Sequence, residues 1–237
     1  CVDRDRQGAA EMRARERLVW CGAEPVVEVF RQIDSAIEVA LVRPEGAWVE
    51  PGDVVAGIRG RAAAILGGER VALNFAQRMS GVATLTRRFV EALPDASRTR
   101  IADTRKTTPG LRAIERHAVR VGGGHNHRAD LASAILIKDN HLAAAGGVRA
   151  AVERARAYAP HTSRVECEVS TLEELHEALA AKADVVLLDN FGDAGVTEAA
   201  RIVAGRAQIE VSGGVTLDRI AALAQAGADV ISVGALT

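Results

Sequence analysis

The sequence is poor in cysteine, in lysine and in charge of one sign, and each shortage narrows what the chain does. Its three cysteines, Cys1, Cys21 and Cys167, are odd in number and far apart. They offer neither a disulfide framework nor a metal-binding spacing, so a reducing, cytoplasmic setting is expected. Lys+Arg 30 against Asp+Glu 31 leaves a net charge of −1. That balance argues against the one-sided basic surface that nucleic acid or an anionic membrane requires. No apolar run approaches the roughly 18 residues that a membrane-spanning helix needs, and no signal-peptide pattern opens the sequence. Lysine occurs only at Lys106, Lys138 and Lys182, in a chain rich in arginine. A lysine retained in such a chain points to a position that needs a compact ammonium and not a planar fork.

What is present is a core and a concentrated set of cations. The 237 residues, 48% hydrophobic, suit one large α/β domain or two small ones. In the second two-thirds, strand signals at 100–103, 134–138, 165–169, 184–189, 208–212 and 229–234 alternate with helical periodicity. Ser170 and Glu173 form a capping-box signal before one of these helices, and Gly227 ends another. Repeated βα units imply parallel strands covered by helices, in a barrel or an open sheet. The first part differs: a helix opening at Pro25, strands at 37–42 and 54–59, and a Glu50-Pro51-Gly52-Asp53 turn between them. A long helical pattern from Glu69 to about Leu93 follows. The expected organisation is a small α+β domain over residues 1–68 and an α/β domain over 69–237, with the boundary in 60–68.

The C-terminal ends of the expected strands carry Asp103, Lys138 with Asp139, Glu168, Asp189 with Asn190, Ser212-Gly213-Gly214, and Gly234. Active sites of βα barrels are built at that end. Turn preference alone explains Asn190 and Asp139, but not a lysine or glutamates. In Val165-Glu166-Cys167-Glu168-Val169, period two puts both carboxylates on one face. Buried there, each needs a cation or a metal, and Lys138 is the obvious partner. Ser212-Gly213-Gly214, opening a helix, and Val233-Gly234-Ala235 suit phosphate. Gly122-Gly123-Gly124 beside His125, Asn126, His127 and Arg128 reads as backbone approaching an anion, and Arg105 and Arg128 can each grip a carboxylate with two hydrogen bonds. His125, His127 and His141 lack a third ligand at a recognisable spacing, which argues against a metal. His117, His161 and His176 read as surface residues.

Thr104-Arg105-Lys106-Thr107-Thr108-Pro109-Gly110, Gly122-Gly123-Gly124, Asn126-His127-Arg128, Ile137-Lys138-Asp139-Asn140-His141, Leu188-Asp189-Asn190-Phe191 and Ser212-Gly213-Gly214 resemble, in order, the motif series of the quinolinate phosphoribosyltransferase family. Glu69-Arg70 and the run from Gln77 to Thr84 extend the resemblance. It implies an open-faced α/β sandwich followed by an incomplete TIM-like α/β barrel. It also implies a reaction in NAD biosynthesis. Quinolinate and phosphoribosyl pyrophosphate (PRPP), with Mg²⁺, give nicotinate mononucleotide, pyrophosphate and CO₂. By the same resemblance Arg105, Lys106, His127 and Arg128 bind the quinolinate carboxylates, and Lys138 lies between the substrates. Arg70 reaches the site of a neighbouring subunit, which implies a homodimer or higher oligomer. Glu168 and Asp189 hold the ribose hydroxyls and Mg²⁺, and Lys106, Lys138, Glu168 and Asp189 are the catalytic set. Ser212, Gly213, Gly214 and Gly234 cradle the 5′-phosphate. The family also has an acidic N-terminal lead and a closing C-terminal helix, so both ends are expected to continue beyond this sequence.

Other readings compete. Lys138 could form a Schiff base in a lyase, although Asp139 and Glu168 favour a cation there. A paralogue associated with molybdenum-transport operons is disfavoured by the intact 126–128 and 137–141 runs. A non-catalytic phosphate- or dicarboxylate-binding module is the third.

Overall fold

The computed structural model describes residues 2–3 and 5–237, so the expectation for Cys1 lies outside the described residues. Two compact units emerge, one of Cys1–Arg87 with Thr108–Gly124, the other of Arg88–Thr107 with His125–Thr237.

In the first unit, β1 (Gln7–Arg13), β5 (Val54–Arg61) and β3 (Glu38–Leu41) form an antiparallel sheet in the order β1-β5-β3. A two-stranded ribbon joins β2 (Leu18–Val19) to β4 (Trp48–Val49). Helices α1 (Ala23–Ile33), α2 (Ala62–Glu91) and α3 (Arg112–Val121) complete it. Met12, Trp20, Val26, Phe30, Val55, Ile58 and Ala72 share one core, which is the apolar face of sheet and helix meeting. Gly68 of α2 lets α1 in: a Cβ there would lie 2.8 Å from a Phe30 ring carbon. Residues 60–68, where the domain boundary is expected, pass straight from the end of β5 into α2. The reason is local: Ala62-Ala63-Ala64-Ile65-Leu66 is a strong helix-forming run, and two glycines do not break it. The first unit runs to Arg87 and takes up Thr108–Gly124.

The second unit holds β6 (Arg100–Ala102), β7 (Ile135–Ile137), β8 (Val165–Val169), β9 (Val185–Asp189), β10 (Gln208–Ser212) and β11 (Val230–Ser232). All are parallel, in the order β6-β11-β10-β9-β8-β7. The barrel does not close, since β6 and β7 stand at the two edges among the described residues. Helices α4 (Asp139–Ala145), α5 (Val148–Tyr158), α6 (Leu172–Ala180), α7 (Asp193–Val203) and α8 (Ile220–Gln225) follow their strands. Every residue of β8 is buried, as strands with both faces covered require. Helix α6 starts one residue later than its sequence signal. Thr171, not Ser170, is the N-cap, accepting from the Glu174 N–H at 3.2 Å. The Glu174 side chain reaches back to the Ser170 N–H at 2.7 Å.

Candidate active site

Parallel strands of one register bring their C-terminal ends level, and period two then decides which side chains share a face. In β8 to β10, Glu168 pairs in register with Leu187 and Glu210 with Leu187, while Asp189 pairs with Ser212. Glu168, Asp189 and Ser212 accordingly line one cavity of about 470 Å³ at the strand ends. Thr104, Arg105 and Lys106 enter it from the loop after β6, His127 and Arg128 from the loop before β7, and Lys138 from the end of β7. Gly213 and Gly214 complete the rim.

The cations are placed by a buried carboxylate. Asp103, completely buried, accepts from the Asn126 side-chain amide at 2.6 Å and from the His127 N–H at 2.7 Å. A fixed Asp103 thus sets where His127 and Arg128 begin. Burial, then the like charge of Arg105, lowers the Arg128 pKa, with Glu166 opposing. Two guanidinium groups that repel each other at the mouth of a cavity favour an anion between them. Lys138 Nζ donates to Glu168 Oε2 at 2.6 Å. Its side chain is 42% exposed, so it is neither dry nor free of a carboxylate, as an amine nucleophile must be.

Beneath this layer lies a buried trio that sequence reasoning only half found. His127 Nε2 is 3.5 Å from Glu166 Oε2 and 3.3 Å from Glu210 Oε1. Ser232 Oγ donates to Glu210. The partner of Glu166 is therefore His127, whereas Lys138 serves Glu168 alone among the expected pair. Contacts with Glu166 and Glu210 push the His127 pKa up to about 10 against its burial. The Arg128 N–H, 2.7 Å from Nδ1, favours a ring protonated on Nε2 only. Two carboxylates outweigh that one amide dipole. Burial, then the Glu210 charge, raises Glu166 despite His127. For Glu210 burial is offset by His127 and Ser232, and its pKa falls. The two carboxyls of the pair are thus driven in opposite directions, as like charges sharing a site require. Glu210 was missed because it lies before the strand end in a run that reads as apolar core, and Ser232, which ends β11, because the strand signal ran on to Gly234; only period two from Ser212 points to Glu210.

Glycines divide by role. Gly213 has φ 84°, and a Cβ there would meet the Asn190 side-chain oxygen and lie 2.9 Å from the Asn190 amide nitrogen. Asn190 itself has φ 58°, donates its N–H to Ser212 O at 2.9 Å and its side-chain amide to Asp189 at 2.8 Å. The β9 and β10 ends are thereby locked together. Gly234 lies beside Lys106: a Cβ added to it would be 3.3 Å from the Lys106 side chain. Gly122 and Gly124, expected to approach an anion, have another cause. A Cβ at Gly122 would sit 2.5 Å from Ala83 O, and one at Gly124 2.7 Å from Thr86, both on α2. Close helix packing, not ligand approach, requires them.

The remaining histidines resolve simply. His141 caps α4, its Nδ1 accepting from the Lys138 N–H at 2.9 Å, and His125 is exposed, its backbone bridging to Ala102. His117, expected at the surface, is half-buried and meets Glu45 at 2.8 Å, since it falls on the inner side of α3 beside Ala118. Arg70 is exposed on α2.

Residues 82–237 match the family described as "Quinolinate phosphoribosyl transferase, C-terminal domain", and residues 1–80 match its N-terminal domain. The chain belongs to the quinolinate phosphoribosyltransferase family. It is 44% identical over 228 residues to the probable nicotinate-nucleotide pyrophosphorylase [carboxylating] of Bacillus subtilis (strain 168), covering 96% of this chain and 78% of that protein. It is 43% identical to the nicotinate-nucleotide pyrophosphorylase [carboxylating] of Homo sapiens, covering 96% and 77%. The solved nicotinate-nucleotide pyrophosphorylase of Francisella tularensis superposes with a TM-score of 0.93 at 40% identity, over 98% of this chain and 82% of that one. The family's incomplete barrel and small antiparallel domain are those described above.

Proposed function

We propose that this chain transfers the phosphoribosyl group of PRPP to quinolinate and removes one carboxylate, giving nicotinate mononucleotide, pyrophosphate and CO₂. One observation carries the reading: Arg105, Lys106, His127, Arg128 and Lys138 converge on a single cavity that also presents Glu168, Asp189 and the Ser212-Gly213-Gly214 turn. Family membership agrees with it.

Each group has work suited to its chemistry. Quinolinate is a pyridine dicarboxylate, so a dianion must be stripped of water and held. Arg105 and Arg128 grip its carboxylates in bidentate fashion, with Lys106 and His127 completing the charge. Lys138, held by Glu168, stands between the dicarboxylate and the sugar phosphate. The pyridine nitrogen attacks the anomeric carbon as the bond to pyrophosphate breaks, and the ribose ring gains oxocarbenium character. Glu168 and Asp189 hold the ribose hydroxyls and stabilise that positive charge electrostatically. Backbone N–H groups of Ser212-Gly213-Gly214 and of Gly234 hold the 5′-phosphate. Loss of CO₂ leaves an electron pair on the ring carbon beside the pyridinium nitrogen, where the positive charge stabilises it until a proton arrives. Holding two anions side by side is the main task.

Mg²⁺ belongs to the proposal. It prefers one or two carboxylates together with substrate phosphates and water. Glu168 and Asp189 fit that preference, as all-oxygen donors at the rim of an open cavity. When bound, the ion neutralises the leaving pyrophosphate. Arg70, exposed on α2, reaches the site of a second subunit in a homodimer or larger assembly. Among the described residues no helix is long and apolar enough to cross a membrane, and we propose a cytoplasmic enzyme. The deciding assay measures nicotinate mononucleotide formed from quinolinate, PRPP and Mg²⁺, with nicotinate as the control. Product from nicotinate but not from quinolinate would overturn the substrate assignment.

A further inference from the structure

A second set of ligating atoms lies in the first unit, and the proposed reaction does not use it. Cys21 follows β2, Glu45 lies between β3 and β4, and His117 is on α3. One donor atom from each lies within 4.8 Å of the other two. Glu45 is held from behind, its Oε1 accepting from the Gly22 N–H at 2.6 Å and the Ala23 N–H at 2.9 Å where α1 begins. Its Oε2 is thereby aimed at His117 Nε2, 2.8 Å away. Cys21 is completely buried. Burial and the Glu45 charge raise the pKa of its thiol, so it stays protonated unless a cation replaces the proton.

We propose that Cys21, Glu45 and His117 form a binding site for one borderline-soft divalent ion of the Zn²⁺ class. Thiolate, imidazole and carboxylate together are a donor set for Zn²⁺ or Co²⁺, whereas Mg²⁺ and Ca²⁺ select oxygen alone. Three protein ligands leave a fourth tetrahedral position for water. Bonds of about 2.0–2.3 Å put ligand atoms about 3.3–3.7 Å apart, so His117 has only to back away slightly from Glu45. Its side chain is 37% exposed and that of Glu45 23%, which gives the ion a way in and His117 room to move. Binding breaks the S–H bond, forms the metal–sulfur bond and releases the proton to solvent. The ion joins segments of β2–α1, β3–β4 and α3 that are far apart in sequence, a structural role separate from the cavity at the strand ends.

The test is a Co²⁺ titration of the chelator-treated full chain. The expected result is about one equivalent bound with a thiolate-to-cobalt charge-transfer band in the near ultraviolet, bleached by Zn²⁺ and unaffected by Mg²⁺. Cys21→Ala loses the band while the yield of nicotinate mononucleotide is unchanged. His117→Gln weakens Co²⁺ binding by more than the roughly 10–100-fold that loss of an outer-shell partner costs. The half-exposed position of His117 keeps that variant informative even where Cys21→Ala fails to fold. Absence of the band at stoichiometric Co²⁺, its persistence in Cys21→Ala, or unchanged affinity in His117→Gln would each overturn the site. Neither the band nor the Co²⁺ affinity depends on the identity of the substrate.

Discussion

Two residues show most directly what the cavity is for. Arg105 and Arg128 lie close enough that the charge of Arg105 disfavours that of Arg128, a repulsion that an anion bound between them relieves. Arg105→Ala is therefore expected to weaken quinolinate binding by about 2–5 kcal/mol, the usual cost of removing one side of a desolvated charge pair. Calorimetric titration checks this, and near-wild-type affinity would refute the assignment. His127 gives a pH signature of its own. Its pKa is raised from an ordinary value near 6.5 to about 10 by Glu166 and Glu210. A base whose folded pKa exceeds its unfolded one stabilises the fold fully below the unfolded value and loses that contribution as pH rises. The urea midpoint is thus expected to fall between about pH 6.5 and 10, and His127→Asn is expected to flatten that segment of the curve. A wild-type midpoint constant across the window would show that the ring is neutral throughout.

At the scale of elements, the strand ends were legible because chemistry interrupts apolar runs there. Asp189 and Ser212 close their strands, Lys138 directly follows β7 and Glu168 is one residue from the end of β8, and a polar residue at such a place is visible without coordinates. The layer below was not. Glu210 lies inside β10, and Ser232, which ends β11, fell inside a strand signal that ran to Gly234; the two meet only because the sheet order sets β10 beside β11, and strand order is a nonlocal fact. β1, β2 and β4 were equally hidden: β1 is exposed along most of its length and the other two are two residues each, too short for period two to register. The glycine runs look alike in sequence but answer to different neighbours, α2 for Gly122 and Gly124 and the Asn190 turn for Gly213. That difference predicts an outcome. Gly213→Ala combines a left-handed backbone with a clash at Asn190, and is expected to cost about 1–3 kcal/mol of stability and to loosen the β9–β10 lock. Denaturant melts together with PRPP binding check it, and a variant that keeps both would remove the turn from the phosphate site.

Across the whole molecule the decisive question is whether one chain suffices. Arg105, Lys106, His127, Arg128 and Lys138 line the cavity, and Arg70 is exposed on α2. An exposed arginine in a site-bearing motif has a simple use if it serves a second copy of the chain. Closed two-fold assemblies place each subunit's contribution in its partner's site, so two damaged chains can repair one another. Arg70→Ala and Lys138→Ala are each expected to be nearly inactive alone. Mixed and allowed to exchange subunits, random pairing makes half the dimers hybrid. In each hybrid one site draws Lys138 and Arg70 from the two undamaged positions, which restores about a quarter of wild-type activity. Assay of the mixture against each parent checks this. If Arg70 instead acted within its own chain, every site in the mixture would still lack one of the two residues, and no activity would return at any mixing ratio.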